Sequence, residues 1–230
     1  ELENAADVDL DAYVEAFPPA VREAFGIIAI SSIEGFLAVE FYQFAWLLLV
    51  GLYLAYLAGG TIAGDIASGR MDLTLSAPVA RRDVVIGRFL GLVPLVVLLN
   101  VVLPVVAYVG VVAVGETIAV ERLAAVHALA VPYHVACVAA GIAVSTLLSR
   151  PGVAQRVALG GLFALFMFDS LVASTDYAAA GNVSPTAHYD PSAVLVLGEY
   201  DLTGAAVLLA ATAVLLAIAI VRFRRADLSG

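Results

Sequence analysis

The chain has 230 residues, of which 63% are hydrophobic and 13% are charged, and its formal net charge is −9. A soluble domain is usually about 45–50% apolar, so this composition excludes an ordinary soluble protein and predicts a single membrane domain over residues 1–230. The 11 basic residues are outnumbered by 20 acidic ones, which argues against nucleic acid as a partner because phosphate binding needs clustered positive charge.

All the basic residues are arginines, and no lysine occurs. Together with the many acidic residues, this pattern is typical of proteins from a high-salt milieu and a GC-rich genome. We therefore expect a halophilic archaeon as the source, with ordinary compositional drift as the alternative.

Residues 1–40 form a polar to amphipathic lead with nine acidic residues and one arginine. The motif Phe-Pro-Pro at 17–19 ends any helix that begins before it, because proline lacks a backbone N–H and clashes inside a helix. Beyond it, apolar residues such as Val21, Phe25 and Ile28 recur at roughly helical spacing. The pattern predicts a short helix lying at the membrane surface.

Five long apolar stretches follow, each close to the length of about 20 residues that crosses ~30 Å of hydrocarbon as a helix. They cover 41–60, 89–114, 123–148, 157–173 and 202–221. Prolines within them are tolerated because neighbouring helices bond the freed carbonyls. The predicted fold is an all-α polytopic membrane protein with five transmembrane helices, forming a bundle over 41–221 that ends in a tail over 222–230.

The arginines predict the orientation of these spans. Nine of the 11 lie in 61–88, 149–156 and 222–225, which fall on one side of the membrane if there are five spans. Because arginine-rich loops stay in the cytoplasm, we expect this side and the C-terminus to be cytoplasmic, in a plasma membrane, and the lead 1–40 and the loop 174–201 to be extracellular. A start outside the cell predicts a further transmembrane helix upstream, six in all; a cleaved signal peptide is the alternative.

The polar stretch GDIASGRMDLTLSAPVARRDVVIGR at 64–88 separates the first two spans and carries four arginines. Its first half predicts a short amphipathic helix over roughly 61–73 on the inner membrane surface, in which Gly69 permits a turn or a close backbone approach. The helix would present four polar side chains to a partner: Asp65, Ser68, Arg70 and Asp72. The alternative is a loop that only sets the topology.

The second half of the stretch predicts a change of chain direction. Ser76-Ala77-Pro78 redirects the chain, because the residue before a proline disfavours helix. Arg81 and Arg82 then lie where they can meet anionic lipid headgroups.

The same stretch resembles a known family. The sequence IAGDIASGRMDLTLSAPVARRDVVIGRFL at 62–90 is similar to the segment after the second helix in the membrane subunits, or permeases, of ABC-2-type ABC transporters. Asp65 stands where that family usually has glutamate, Gly69 matches a family glycine, and Arg88 replaces a lysine. The outer segment YVEAFPPAVREAFGI and the ending VRFRRADL are also similar to the family, so the resemblance spans nearly the whole chain.

The resemblance implies that the polar stretch is a cytoplasmic coupling segment in contact with a separate ATP-hydrolysing subunit. The coupling residues on the matching stretch are Asp65, Gly69, Arg70, Asp72, Ser76, Pro78, Arg81 and Arg82. The permease would pair with itself or a similar permease and with two ATPase subunits, within the lipid bilayer. ATP would drive an unidentified substrate, and the expected direction is export.

Motifs for catalysis are absent from the sequence. It contains no Gly-x-x-x-x-Gly-Lys-Ser/Thr phosphate loop, no Gly-x-Ser-x-Gly elbow and no His-Glu-x-x-His zinc motif. We therefore expect the chain not to be an enzyme, to hold no cofactor, and to rely on a partner subunit for ATP hydrolysis. Two other functions stay open: an ion-coupled secondary transporter, and a non-transporting scaffold such as an assembly subunit for a metalloenzyme.

Polar residues inside the spans are candidates for function, because burying them in lipid is costly. Asn100, His134 and Asp169 form a candidate polar path, although Asn100 could simply bond a neighbouring helix and Asp169 could reach outer water. His127, His134 and Cys137 share a helix face, but without a second cysteine or a methionine nearby we expect no metal there. A secondary transporter would need paired charges inside the membrane, and Asp169 is the one available acid.

Overall fold

The computed structural model describes residues 32–226, and every regular element within that range is helical. The helices are α1 (Ile33–Phe36), a π-helical segment (Leu37–Val50), α2 (Gly51–Gly59), α3 (Thr61–Ala67), α4 (Arg70–Ser76), α5 (Arg81–Ala113), α6 (Val120–Ser145), α7 (Pro151–Val172) and α8 (Leu202–Arg225). Between α7 and α8 lie two 3₁₀ turns, Ala178–Val183 and Pro185–His188, and a π turn, Ala193–Leu197.

Five of these helical stretches are long and apolar enough to cross a membrane, which confirms the predicted all-α polytopic fold. The first one begins at Ile33 rather than at 41, because the Ser32 hydroxyl caps it by accepting a hydrogen bond from the Gly35 amide at 3.1 Å. The surface helix predicted within 1–31, and the last residues of the tail beyond 226, lie outside the described residues.

Helix α6 is the centre of the bundle and packs against α2, α5, α7 and α8. It lies close to α2 at Gly141, where a Cβ atom would collide with the Ala55 carbonyl oxygen and the Ala58 side chain. Small residues permit such contacts between membrane helices. By contrast, a Cβ atom added at Gly87 or Gly91 of α5 would meet no atom of another described helix within 4 Å, so this glycine pair mediates no close helix contact there.

The bundle has two ends of different character. The arginine-rich end contains α3, α4, the turn 146–150 and the end of α8, whereas the opposite end contains the turn 114–119 and the loop 173–201. An apolar cluster that includes Met71, Ile142 and Phe223 packs towards the arginine-rich end. A second cluster, with Tyr42, Trp46 and Leu195, packs towards the opposite end.

The loop 173–201 folds back onto the bundle rather than standing away from it. The Tyr189 hydroxyl donates a hydrogen bond to the Val126 carbonyl at 2.7 Å, and Arg122 Nη1 donates to the Val196 carbonyl at 2.9 Å. Both bonds join the loop to the start of α6. The opposite end of the bundle is therefore closed by chain that bonds to it directly.

Candidate functional site

The polar segment after the first span folds as two short helices instead of the single helix predicted over 61–73. Helix α3 ends at Ala67, and Gly69 has φ 71° and ψ 1°, a left-handed conformation that glycine adopts without steric cost. The predicted turn at Gly69 is therefore present, and it divides the segment. Ala77, the residue before Pro78, is extended, with ψ 158°, so α4 ends at Ser76. This is the expected effect of a proline on the residue before it.

The start of α3 is held by a residue that the predicted site does not include. The Ser145 hydroxyl, fully buried at the end of α6, accepts hydrogen bonds from the backbone amides of Ile62 and Ala63 at 3.1 and 3.0 Å. The first amides of a helix lack partners within the helix, so this hydroxyl caps α3 from a neighbouring span. A lone serine at the end of an apolar stretch is the only trace of this role in the sequence.

Asp65 joins three helices at the arginine-rich end. Its Oδ1 atom accepts a hydrogen bond from Arg70 Nε at 3.0 Å, and its Oδ2 atom is ion-paired with Arg88 Nη2. We expected Asp65 on the exposed polar side of the segment; its side chain is instead 5% exposed. The carboxylate lies inward because α4 and α5 both bring an arginine to it, and a buried charge is stable only when paired.

Arg81 is used within the chain as well. Its Nη1 atom donates hydrogen bonds to the carbonyls of Phe223 and Ala226 at 3.0 and 2.7 Å, and its guanidinium lies 5.8 Å from the centre of the Phe223 ring. The carbonyls at a helix C-terminus lack partners and carry partial negative charge. Arg81 therefore caps α8 and joins it to the start of α5, while Arg82 points outward beside Asp83 at 3.3 Å.

The exposed part of the segment combines polar residues with one large apolar side chain. Met71 is 1% exposed and packs into the bundle, whereas Leu73 on the same helix is 75% exposed. We call the exposed residues Arg70, Asp72, Leu73 and Ser76 the α4 surface. Leu73 is not among the predicted site residues, although its place two positions after the inward Met71 puts it on the other side of the helix.

The sequence of this chain matches one known family over most of its length. A family model described as ABC-2 family transporter protein matches residues 19–228. The chain belongs to the ABC-2 transporter family. No curated protein matches the sequence.

This ABC-2 family protein is thus a multi-pass membrane component of the ABC transporter type, as the resemblance of the polar stretch predicted. Membrane components of this family are generally not catalytic themselves, and the family implies partnership with an ATPase component. The predicted coupling residues remain a prediction: Asp65, Gly69, Arg70, Asp72, Ser76, Pro78, Arg81 and Arg82.

A second group of polar residues lies inside the bundle. The Tyr42 hydroxyl and His127 Nε2 are 2.9 Å apart, and His134 Nε2 donates to the Trp46 carbonyl at 3.3 Å. The Trp46 ring lies edge-on to both histidines, with ring centres 4.9 and 4.8 Å apart. These residues come from the π-helical segment and α6, and we call them, with Asn100, the buried polar cluster.

Asn100 belongs to this cluster through its amide. Its Nδ2 atom donates to the Val96 carbonyl at 2.9 Å and to His134 Nδ1 at 3.3 Å. Asp169 accepts instead from Thr186 Oγ1 at 2.7 Å, in the loop 173–201. The structure thus brings two of the three predicted path residues together, and the path as a whole remains a prediction.

His127, His134 and Cys137 do not come together as a set of ligands. Within residues 32–226, no group of three or more histidine, cysteine, aspartate or glutamate side chains is placed to hold a metal ion. The Nε2 atoms of both histidines are hydrogen-bonded, that of His127 to the Tyr42 hydroxyl and that of His134 to the Trp46 carbonyl.

Proposed function

We propose that this chain is the permease subunit of an ATP-driven exporter, and that a separate ATPase subunit docks on the α4 surface. The observation that carries the proposal is Leu73, an apolar side chain that is 75% exposed and lies between Asp72 and Thr74. Because Leu73 lies on the segment that resembles the family's coupling segment, its exposed side chain is available to be buried against an ATPase subunit. Arg70, Asp72 and Ser76 supply the polar rim such a contact needs.

The α4 surface is attached in a way that suits the transfer of force. Asp65 links α3 to Arg70 of α4 and to Arg88 of α5, and Ser145 links α3 to α6. Met71 anchors α4 in the apolar cluster of the arginine-rich end. Displacement of the α4 surface by an ATPase would therefore move the starts or ends of several spans together, which is how closure of an ATPase pair would rock the helices.

The orientation proposed from the arginines puts the α4 surface in the cytoplasm, where ATP is found. The loop 173–201 is then extracellular. Helices α5 and α8 leave most of their apolar faces uncovered within the described chain, and these faces are available to lipid and to a second permease subunit. Asp169 bonds a threonine hydroxyl, which is not the paired charge that a secondary transporter would need.

Replacement of Leu73 by arginine tests the docking site. An unpaired charge buried at an interface costs about 2–5 kcal/mol, so Leu73→Arg should weaken ATPase binding by more than about tenfold. The measurements are copurification of the co-expressed ATPase subunit and ATP turnover of the complex in nanodiscs. Tyr177→Arg is the matched control, because Tyr177 is equally exposed, at 75%, at the opposite end. Wild-type copurification and turnover in Leu73→Arg would refute docking on the α4 surface.

Cysteine labelling tests the orientation in a Cys137→Ala background. Ser76 and Ala180 are both exposed, one at each end of the bundle. A membrane-impermeant thiol reagent added outside cells should modify Ala180→Cys and leave Ser76→Cys unmodified until the membrane is opened. The reverse pattern would place the α4 surface outside the cell and remove the proposed ATPase contact.

The lysine-free, acidic composition supports a high-salt habitat and a halophilic archaeal source. Acidic surface charge repels itself at low ionic strength, and salt screens that repulsion. The purified protein should therefore unfold at a higher temperature in molar KCl than in dilute buffer. Equal unfolding temperatures in the two buffers would contradict a halophilic origin.

A further inference from the structure

A groove between α5 and α6 opens on the side of the bundle. It has a volume of about 630 Å³, within the range of about 300–1,000 Å³ found for ligand sites. Its apolar walls include Val97, Val101 and Pro104 of α5 and Leu123 of α6, and every residue that lines it is uncharged. The groove therefore suits a neutral, largely apolar molecule that arrives through the lipid.

Two polar atoms in this apolar wall have no hydrogen-bond partner. They are Asn100 Oδ1 and His127 Nδ1, and both residues line the groove. Asn100 is 8% exposed and His127 is 2% exposed, so water does not compensate them freely. Buried polar groups are nearly always hydrogen-bonded. Two atoms that lack a partner within residues 32–226, on residues that line the same groove, therefore point to a ligand.

Prolines add two further acceptors at the same place. Pro104 has no N–H to give to the carbonyl four residues earlier, which is that of Asn100, and Pro132 in the same way deprives the carbonyl of Ala128. Asn100 and Ala128 both line the groove. Both walls therefore carry a backbone carbonyl that has lost its usual helical donor.

The remaining hydrogen bonds of the cluster decide which of these atoms donate. The Tyr42 hydroxyl has His127 Nε2 as its one hydrogen-bond partner within the described chain, so its proton goes to that nitrogen and the histidine proton is on Nδ1. Asn100 uses its amide protons on Val96 and His134, which leaves Oδ1 as an acceptor. The groove thus offers one N–H donor beside several oxygen acceptors.

We propose that this groove binds a neutral apolar molecule with a hydroxyl group, taken up from the lipid bilayer. A hydroxyl can accept a hydrogen bond from His127 Nδ1–H or donate one to Asn100 Oδ1, whereas a purely apolar molecule would leave both atoms without a partner. An ammonium ion would be buried without a counter-charge, and a carboxylate would face the acceptors, so both are disfavoured. The site goes beyond the proposed transport function and does not depend on ATPase docking.

Photolabelling tests the site on the full-length protein in nanodiscs, with any copurifying subunit retained and no ATP added. The probe is a long-chain primary alcohol with a diazirine in its chain, and the matched probe is the same chain without the hydroxyl. Labelled peptides are mapped by mass spectrometry. We expect the alcohol to label α5 and α6 about tenfold more than the hydrocarbon, the effect of about 1.4 kcal/mol of hydrogen bonding.

Two variants separate the groove from its polar atoms. Ala124→Trp fills the groove from an exposed lining position and should reduce labelling by both probes at least fivefold, whereas Ala210→Trp, exposed on α8, should leave labelling unchanged. In Asn100→Leu, the ratio of labelling by the alcohol to labelling by the hydrocarbon should fall towards one. Labelling by the hydrocarbon should persist, which shows that the variant is folded.

Three outcomes would overturn the proposal. The first is equal labelling of α5 and α6 by the two probes in the wild type. The second is full labelling in Ala124→Trp. The third is no labelling of the groove by either probe, as happens if residues 1–31, an upstream segment or a second copy of the chain covers it.

Discussion

Helices α5 and α6 differ in a way that their sequences do not suggest. The apolar core of α5 is among the two most hydrophobic in the chain, yet 17% of its residues are buried, whereas 67% are buried in the less hydrophobic core of α6. Helix α6 carries Gly141, Ser145 and both histidines of the buried polar cluster. The shorter and more polar of these two helices, α6, thus forms the interior of the bundle.

The physical reason is that lipid is as apolar as leucine. In water, hydrophobic residues gain by packing against each other, but in a bilayer they gain as much from the lipid. Helices therefore pack where small residues allow close contact and where polar groups need partners. Hydrophobicity marks α5 as a span without giving it a place inside the bundle. Its attachment comes from packing against α6 and α8 and from polar contacts, among them the ion pair of Arg88 with Asp65.

The largest expected effect comes from the close contact of α6 with α2 at Gly141. A side chain at Gly141 would overlap the Ala55 carbonyl and the Ala58 side chain, so Gly141→Val should destabilise the bundle by about 3 kcal/mol. Gly91→Val on α5 is the control, because nothing lies within 4 Å of that position in the described chain. Thermal unfolding in detergent micelles measures both. Equal stability of the two variants would remove the distinction between the helices.

The attachment of α5 gives the next effect. Asp65→Ala leaves Arg88 and Arg70 without their buried partner, which costs about 1–3 kcal/mol because the lost bonds are charge-assisted. The arginine side chains are 42% and 64% exposed, so water relieves part of the loss. Asp83→Ala, which removes a pair exposed on both sides, should change stability by less than about 0.5 kcal/mol.

Proteolysis adds a local readout for Asp65→Ala. Without the ion pairs, α3 and α4 should detach from α5 and be cleaved faster near Arg70 by trypsin in detergent. If Asp65→Ala and Asp83→Ala matched in both unfolding temperature and cleavage rate, the ion pairs would not be what holds α5 to the polar segment.

The smallest effect concerns the other end of α6. Tyr189→Phe removes the hydrogen bond to the Val126 carbonyl and should cost about 1 kcal/mol. Tyr177→Phe, on an exposed ring in the same loop, should be neutral. Thermal unfolding again measures both variants, and a neutral Tyr189→Phe would mean that the loop is held by its other contacts.

Alkaline pH sharpens the same comparison. Burial raises the pKa of the Tyr189 phenol well above its usual range. The folded state therefore keeps the proton that the unfolded state releases near pH 10, and stability is lost as the pH rises above that value. The wild type should lose its advantage over Tyr189→Phe above about pH 10, and a constant difference from neutral to alkaline pH would contradict this.

Much of the fold could be predicted from the sequence alone. The five spans, the turn at Gly69 and the change of direction at Pro78 all depend on short stretches of chain. The family could be predicted as well, because the polar stretch is continuous in the sequence. The first span begins earlier than predicted because the Ser32 side chain caps its first turn.

The candidate sites were predicted less completely. Asp65 was expected to face a partner, but it bonds to two arginines of its own chain. Leu73 and Ser145 were not singled out, because an exposed leucine and a capping serine can be identified only when the neighbours of each helix face are known. The contact of Asn100 with His134 joins residues 34 positions apart in the chain.

The sequence by itself determined that the described chain has five helices long and apolar enough to cross a membrane, and that a polar segment interrupts them. Length, hydropathy and turn residues act locally, so they can be read along the chain. Tertiary structure alone decided which apolar helix lies inside, where Gly141 meets α2, and that unpartnered atoms of Asn100 and His127 share one groove. These depend on which helix faces meet, and in lipid the hydrophobic pattern does not select those faces.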